Sequence, residues 1–439
     1  MLRFEMEHSV TVEISPELKE RITRAVDAGF QDQIAFTQEL VRYPSLRGQE
    51  HTAQNFVHDA LASRGYSVDR WRVAEEDIKH HPGFSPVAVP YDNTINVVGT
   101  HTPKRATGKS LILNGHIDVV PEGPKDMWSR PPFDPAIEGD WMYGRGAGDM
   151  KAGIASNIFA IEALKRIGLQ PAATLYQQSV TEEECTGNGA LAALVRGYRA
   201  DAAIIPEPSN CVLTRANVGV LWFQVEVRGK PVHVREAGTG SNAILSAYTV
   251  MQDLYALAEK WNAEKTRPSV FEGVHHPLNM NVGKIEGGDW ASSVPAWCRF
   301  DCRIGIFPGT DPKDAAAEVE ATVRAAAASD PFLSNSPPRI TFNGFFARGY
   351  VLEEGTAAEE TLVRAYASAT RQTLQSEVST AYLDGRVFVL YGDTPCLVFG
   401  PHSEAIHGFD ERVSIESIRK VTKTIALFVA DWCGLEEKS

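Results

Sequence analysis

Residues 173–208 read ATLYQQSVTEEECTGNGALAALVRGYRADAAIIPEP, and the order of elements in this stretch sets the fold class. The apolar-rich segment 173–180 predicts a strand and 190–195 a helix. The short, continuous apolar run 202–205 has the pattern of a strand buried on both faces. Strand, helix and strand in that order predict a parallel sheet in an α/β domain. Upstream, 150–167 reads as a helix, and 66–73, 94–99 and 110–114 read as strands. Two helices precede them. One spans 16–43, opened by Ser15-Pro16 and closed before Tyr43-Pro44; the other spans 50–64 and stops at Gly65. Segments 77–92 and 121–148 are rich in Pro, Gly, His and Trp and read as long loops, which in compact domains usually carry function.

The texture changes near residue 217. An alternating strand at 220–227 is followed by the turn Gly229-Lys230-Pro231, a helix at 242–260, strands at 278–285 and 297–304, a helix at 310–328 and a strand at 339–343. This β-α-β-β-α-β order is ferredoxin-like. It predicts an α+β domain over 217–347, inserted into an α/β domain formed by 1–216 and 348–439. The last part has a helix at 355–375, a strand at 396–399 and a closing helix at 413–431. A chain of 439 residues is too long for one simple core, so two domains are expected.

Charge narrows the partners. With 43 basic and 56 acidic residues the net charge is −13; a nucleic-acid binder needs a basic footprint, and no polybasic segment is present for an anionic membrane. No apolar run is long enough for a transmembrane helix. The N-terminal stretch MLRFEMEHSVTVEISPELKE lacks the apolar core of a secretory signal. The six cysteines form no CxxC pair. Reduced thiols in a cytoplasmic protein are the expectation.

Five segments place metal-type ligands at or beyond strand ends. In LILNGHID (111–118), His116 can give a ring nitrogen to a metal while Asp118 orients the ring, or His116 can be a buried core histidine. In GRGAGDMKAG (144–153), Asp149 is either a helix N-cap or a bridging carboxylate; the glycine spacing matches no phosphate loop. Glu182, Glu183 and Glu184 are consecutive. Such a triplet repels itself unless a cation or proton compensates, or it forms a solvated turn. Glu207 stands between Pro206 and Pro208, and His402 and His407 share a Gly/Pro-rich loop. Histidines and carboxylates together suit zinc, cobalt or manganese better than calcium or magnesium. A spare glutamate beside a ligand glutamate is what a metal-assisted hydrolase needs to take a proton from water.

These segments, with PEP (206–208), VRGKPVHV (227–234) and AIHGFDERV (405–413), resemble in order the metallopeptidase and deacylase family of acetylornithine deacetylase, succinyl-diaminopimelate desuccinylase, aminoacylase and the glutamate-releasing carboxypeptidase. The resemblance implies an exopeptidase-like catalytic domain with a mixed, mainly parallel sheet, and an inserted lid that mediates homodimerisation. It implies two divalent metal ions, zinc first, with cobalt or manganese as alternatives. One is held by His116 and Glu207, the other by Glu184 and His407, and Asp149 bridges them. Asp118 orients His116, and Glu183 is the general base. Counting back from Gly189-Ala190 gives this register; a slip of one residue makes Glu182 the base. His233 matches a lid histidine that reaches the partner's active site, Arg303 a substrate-contacting arginine, and Arg386 a further candidate contact. Ser293 stands where the family usually has a substrate-touching Asn, a departure that leaves the substrate open. Trp290 and the loops 80–84 and 125–128 are expected to add an aromatic wall.

The expected function is hydrolysis of the amide of an N-acyl amino acid or related small carboxylate by metal-activated water. The alternatives are hydrolytic deamination of an amino-aromatic or amidine-like substrate and, in a different class, a catalytically silent metal-binding protein.

Overall fold

A computed structural model describes residues 14–263 and 267–438. The stretch read for a secretory signal lies, over residues 1–13, outside the described residues. No helix among the described residues is long and apolar enough to cross a membrane.

Among the described residues the main sheet has nine strands. In spatial order they are Ser67–Arg72, Ile95–His101, Leu175–Val180, Leu111–His116, Ala202–Ile205, Cys396–Val398, Leu213–Asn217 and Tyr350–Val351, with Ser376–Ser379 also on Leu213–Asn217. Leu111–His116 runs parallel to Leu175–Val180 and Ala202–Ile205, and Cys396–Val398 runs parallel to Ala202–Ile205. The first three strands pair antiparallel. Parallel pairing is therefore central, where the residues after several strands converge at one edge.

Side-chain alternation explains why both faces are covered. Leu111, Leu113, Ala202, Ile204 and Leu397 pack into one cluster with the helices Pro16–Val41, Ala152–Arg166 and Ile415–Trp432. Ile112, Ala203, Ile205 and Val398 pack on the other side with Phe388. Helix Pro16–Val41 starts where the sequence indicates: Ser15 Oγ accepts from the Leu18 amide at 3.2 Å, with Pro16 in the first turn.

A second, four-stranded antiparallel sheet has the order Met280–Gly287, Trp297–Ile306, Gly219–Arg228, Arg339–Ala347. Helices Ala243–Ala263 and Pro312–Ala328 pack on it through Val250, Leu254, Val319 and Val323 against Phe223, Val225, Phe300 and Ile304. The first strand lies between the third and the fourth, which is the ferredoxin-like order.

A third sheet was not apparent in the sequence. Ser403–Glu404, Arg412–Ser414, Trp141–Tyr143 and Ala136–Glu138 pair antiparallel. Segment 121–148 is thus not loop throughout. Its strands are three residues long, too short to show a period, and they tie this segment to the hairpin that carries His407. The helix expected over 355–375 is Ala357–Thr370. Arg371 takes a left-handed conformation, φ +60°, and turns the chain into Ser376–Ser379.

Candidate active site

His116 ends its strand with its side chain almost wholly buried, and its Nδ1 meets the backbone carbonyl of Asp118 at 2.9 Å. That contact turns Nε2 toward carboxylates: Asp149 Oδ1 at 3.0 Å, Glu207 Oε2 at 3.7 Å and Glu183 Oε2 at 3.9 Å. Asp118 meets the ring as expected, with its Oδ1 also 3.7 Å from His116 Nδ1, and it has a second part. Its two oxygens accept from the backbone amides of Glu183 (3.4 Å) and Glu184 (3.1 Å), so it also holds the acidic turn.

Asp149 faces two ways. Oδ1 points to His116, and Oδ2 lies 3.4 Å from His407 Nε2. His407 is also 3.1 Å from Glu184 Oε2. The turn before Asp149 needs its glycines: Gly146 has φ +76°, and a Cβ there would sit 2.5 Å from Val119 Cγ1. Glu207 is placed by close backbone packing. A Cβ on Gly153 would lie 2.3 Å from the Pro206 carbonyl oxygen, and one on Gly400 would lie 2.1 Å from that of Glu207.

The three glutamates diverge. Glu182, at φ +68°, turns away. Arg47 grips it with two hydrogen bonds (2.6 and 2.8 Å), and Tyr91 and Thr186 hydroxyls donate to it. Glu183 faces His116 and Glu184 faces His407. His402 lies apart, against Asn210.

Electrostatically the site demands cations. Burial opposes protonation of His116, yet Glu207, Asp149 and Glu183 outweigh it and raise its pKa well above the usual value. Glu184 leads the groups that push His407 up to about 11. Burial drives Glu207 up to about 7. For Asp149 burial acts in the same upward direction, but the two histidines prevail and depress it. In the metal-free chain, protons on the imidazoles compensate the carboxylates; divalent cations would displace them. Ligand atoms of His116, Asp149 and Glu184 all lie within 4.8 Å of one another, and the buried Glu207 Oε1 has no protein partner. The donor set fits divalent metal.

Asp149, Glu183, Glu184, Glu207 and His407 line a cavity of about 710 Å³ between the two larger sheets. Arg303 lines it, its guanidinium anchored on the carbonyls of Asn279 (3.2 Å) and Thr380 (2.8 Å). Trp222, Phe345 and Tyr382 form the aromatic wall, with ring centroids 5.1 and 4.2 Å apart along that series. The aromatics expected there lie elsewhere. Trp290 is 74% exposed on the second sheet's outer groove, Trp128 packs on Phe409, and His81 packs on Tyr391. Arg386 is fully buried and does not line the cavity; its Nε donates to Tyr382 Oη at 3.0 Å, so it acts on the wall from behind. His233 and Ser293 pair with each other as an isolated β-bridge, also outside this cavity.

The sequence model of peptidase family M20/M25/M40 matches residues 112–431, which include every one of the clustered ligands. The chain belongs to this family. Among its M20 relatives, an N-formyl-4-amino-5-aminomethyl-2-methylpyrimidine deformylase of Halalkalibacterium halodurans is 28% identical, over 95% of this chain and 98% of the relative. A succinyl-diaminopimelate desuccinylase of Thioalkalivibrio sulfidiphilus is 26% identical over 89% and 96%. Of solved structures, the dipeptidase Dug1p of Saccharomyces cerevisiae superposes with a TM-score of 0.76 at 16% identity, covering 95% of this chain and 99% of that one. As a member of this family the chain is a metal-dependent hydrolase of carbon–nitrogen bonds.

Proposed function

We propose that this enzyme removes a short acyl group from the nitrogen of a small amino acid or related carboxylate. The observation that carries the reading is Asp149, whose two oxygens are divided between His116 (3.0 Å) and His407 (3.4 Å), beside Glu183 and open to the cavity. His116 and Glu207 would hold one divalent ion and Glu184 and His407 the other, with Asp149 shared; zinc is the first choice, cobalt or manganese the alternatives. When bound, the ions supply Lewis-acid polarisation of water and of the scissile carbonyl. Glu183 takes a proton from the attacking water, whose oxygen adds to the amide carbon. The same carboxyl then delivers the proton to the leaving nitrogen; the C–N bond breaks, giving a carboxylic acid and an amine. Asp118 keeps Glu183 and Glu184 in place through their amides. Arg303 is suited to bind a substrate carboxylate.

Segment 217–347 acts as the lid of a catalytic unit formed by 1–216 and 348–439. It mediates a homodimer in which His233 of one copy approaches the other copy's cavity and stabilises the oxyanion. Support comes from the exposed apolar residues Leu245, Tyr248, Ile285 and Trp290 on this segment and from the position of His233 outside its own cavity. The six unpaired cysteines support a reducing, cytoplasmic setting.

A second reading of the substrate is favoured by the aromatic wall and by Glu377, which also lines the cavity: an N-formyl amine on an amino-heteroaromatic ring, the chemistry named for the Halalkalibacterium relative. The test is a panel of N-formyl, N-acetyl and N-succinyl derivatives of amino acids and aminomethyl heteroaromatics, assayed with added zinc, cobalt or manganese. Equimolar acid and amine are expected. Ammonia without a carboxylic acid, or no turnover anywhere in the panel, overturns the reading.

A further inference from the structure

Behind the site lies an ion pair to which no step of the reaction assigns a part. Arg145 and Glu411 are both almost completely buried, with 2.6 Å between Nη1 and Oε2. Glu411 also accepts from three backbone amides of one turn: Gly146 (3.1 Å) on Oε2, and Gly148 (3.0 Å) and Asp149 (3.1 Å) on Oε1. Arg145 in turn donates through Nη2 to the carbonyl of Gly408, next to His407, at 3.0 Å. Each partner therefore reaches into the other's loop.

We propose that Arg145 and Glu411 are positioning residues that hold the Asp149 turn against the His407 loop and thereby set the separation of the two metal positions. The inference rests on the two-metal reading above. Asp149 is common to both positions, but the geometry makes the effect larger at the His407 end. His116 ends a central strand, and Glu207 is wedged between Gly153 and Gly400; neither touches the pair. His407 has no such support. Its loop carries Ala405, His407 and Asp410 at φ +54°, +61° and +56°, conformations that L-residues disfavour. The long segment after Pro121 completes the clamp. Trp128 lies over the Arg145 guanidinium at 5.1 Å and edge-on to Phe409, and the Ser129 amide donates to Asp410. This accounts for a segment that the sequence marks as functional yet that lines no part of the cavity.

Glu411→Gln keeps the size but turns one oxygen into an NH2 group facing a backbone donor. Arg145→Lys keeps the charge but loses the fork that spans Glu411 and Gly408. Calorimetric titration of the metal-free protein with cobalt is expected to show two equivalents for the wild type. For Glu411→Gln, one equivalent should weaken only slightly and the second at least tenfold, with Arg145→Lys intermediate. In turnover, kcat should fall while KM changes little, and excess cobalt should restore part of kcat. Glu359→Gln, which breaks the distant Arg215–Glu359 pair, should leave both equivalents unchanged, as any ion pair of merely structural value would. Two equivalents of unchanged affinity in both Glu411→Gln and Arg145→Lys overturn the inference alone. Fewer than two in the wild type overturn the two-metal reading and the inference with it. Should Glu411→Gln fail to fold, Arg145→Lys decides.

Discussion

Glu182, Glu183 and Glu184 are chemically identical neighbours whose surroundings give them three different tasks. Glu182 is held by Arg47, Tyr91 and Thr186 and does not line the cavity, which keeps it away from substrate water. Glu183→Gln should retain metal stoichiometry and lose about 10²–10⁴-fold in kcat, read by steady-state kinetics beside metal analysis; near-normal turnover would remove Glu183 as the base. Glu182→Gln should instead lower stability, by roughly 2 kcal/mol for the loss of a charged hydrogen-bond partner, seen as a drop in Tm. A large loss of kcat with an unchanged Tm would return the one-residue slip to contention. His407 yields a pH prediction. Its folded pKa is raised, chiefly by Glu184, to about 11 from 6.5. The stability it contributes is therefore present below 6.5 and lost as pH rises through the folded value. Bound metal takes over the proton's part, so the Tm gap between metal-loaded and chelated protein should widen from about pH 6.5 upward. In His407→Asn the widening should be much reduced; an equal slope in that variant would assign the effect to other groups.

At the scale of elements, the long helices and buried central strands were legible because each carries its own signal. Helix Pro16–Val41 has its cap and its apolar face, and Ala202–Ile205 its continuous apolar run. Leu213–Asn217 and Ser376–Ser379 were not legible. LTRAN and SEVS show no period, and they become strands by pairing with each other and, for Leu213–Asn217, also with Cys396–Val398 and Tyr350–Val351. In helix Ala243–Ala263 the buried face packs on the second sheet, while Leu245 and Tyr248 remain 65% and 60% exposed. These two side chains test the proposed dimer. The double variant Leu245→Asp, Tyr248→Asp should convert a dimer to a monomer in sedimentation or light scattering while leaving the helix signal unchanged. A wild type that is already monomeric at micromolar concentration would refute the proposed dimer.

For the whole molecule, the proposed metal centre joins parts of the chain remote in sequence: strand ends at 116 and 207, turns at 149 and 184, and a hairpin at 407. Removing the ions should therefore affect fold and function together. Chelation is expected to abolish hydrolysis and lower Tm, and adding metal back should restore both. Ligand at a hundredfold over its Kd stabilises by about 2.7 kcal/mol. Activity indifferent to chelator across the substrate panel would count against the metal mechanism.

The sequence by itself determined the fold class and the ferredoxin-like segment, and it named the residues that the structure brings together at the candidate site. Periodicity, Gly and Pro punctuation and the ordered motifs are local properties, written wherever they act. Only the tertiary structure decided which glutamate faces which histidine, that Asp118 also holds the Glu183 and Glu184 amides, and that Trp222, Phe345 and Tyr382 line the cavity in place of Trp290 and Trp128. It also brought Glu411 to Arg145 across 266 positions. Those outcomes depend on where a side chain points after distant segments have packed. Residue spacing along the chain carries no information about that direction.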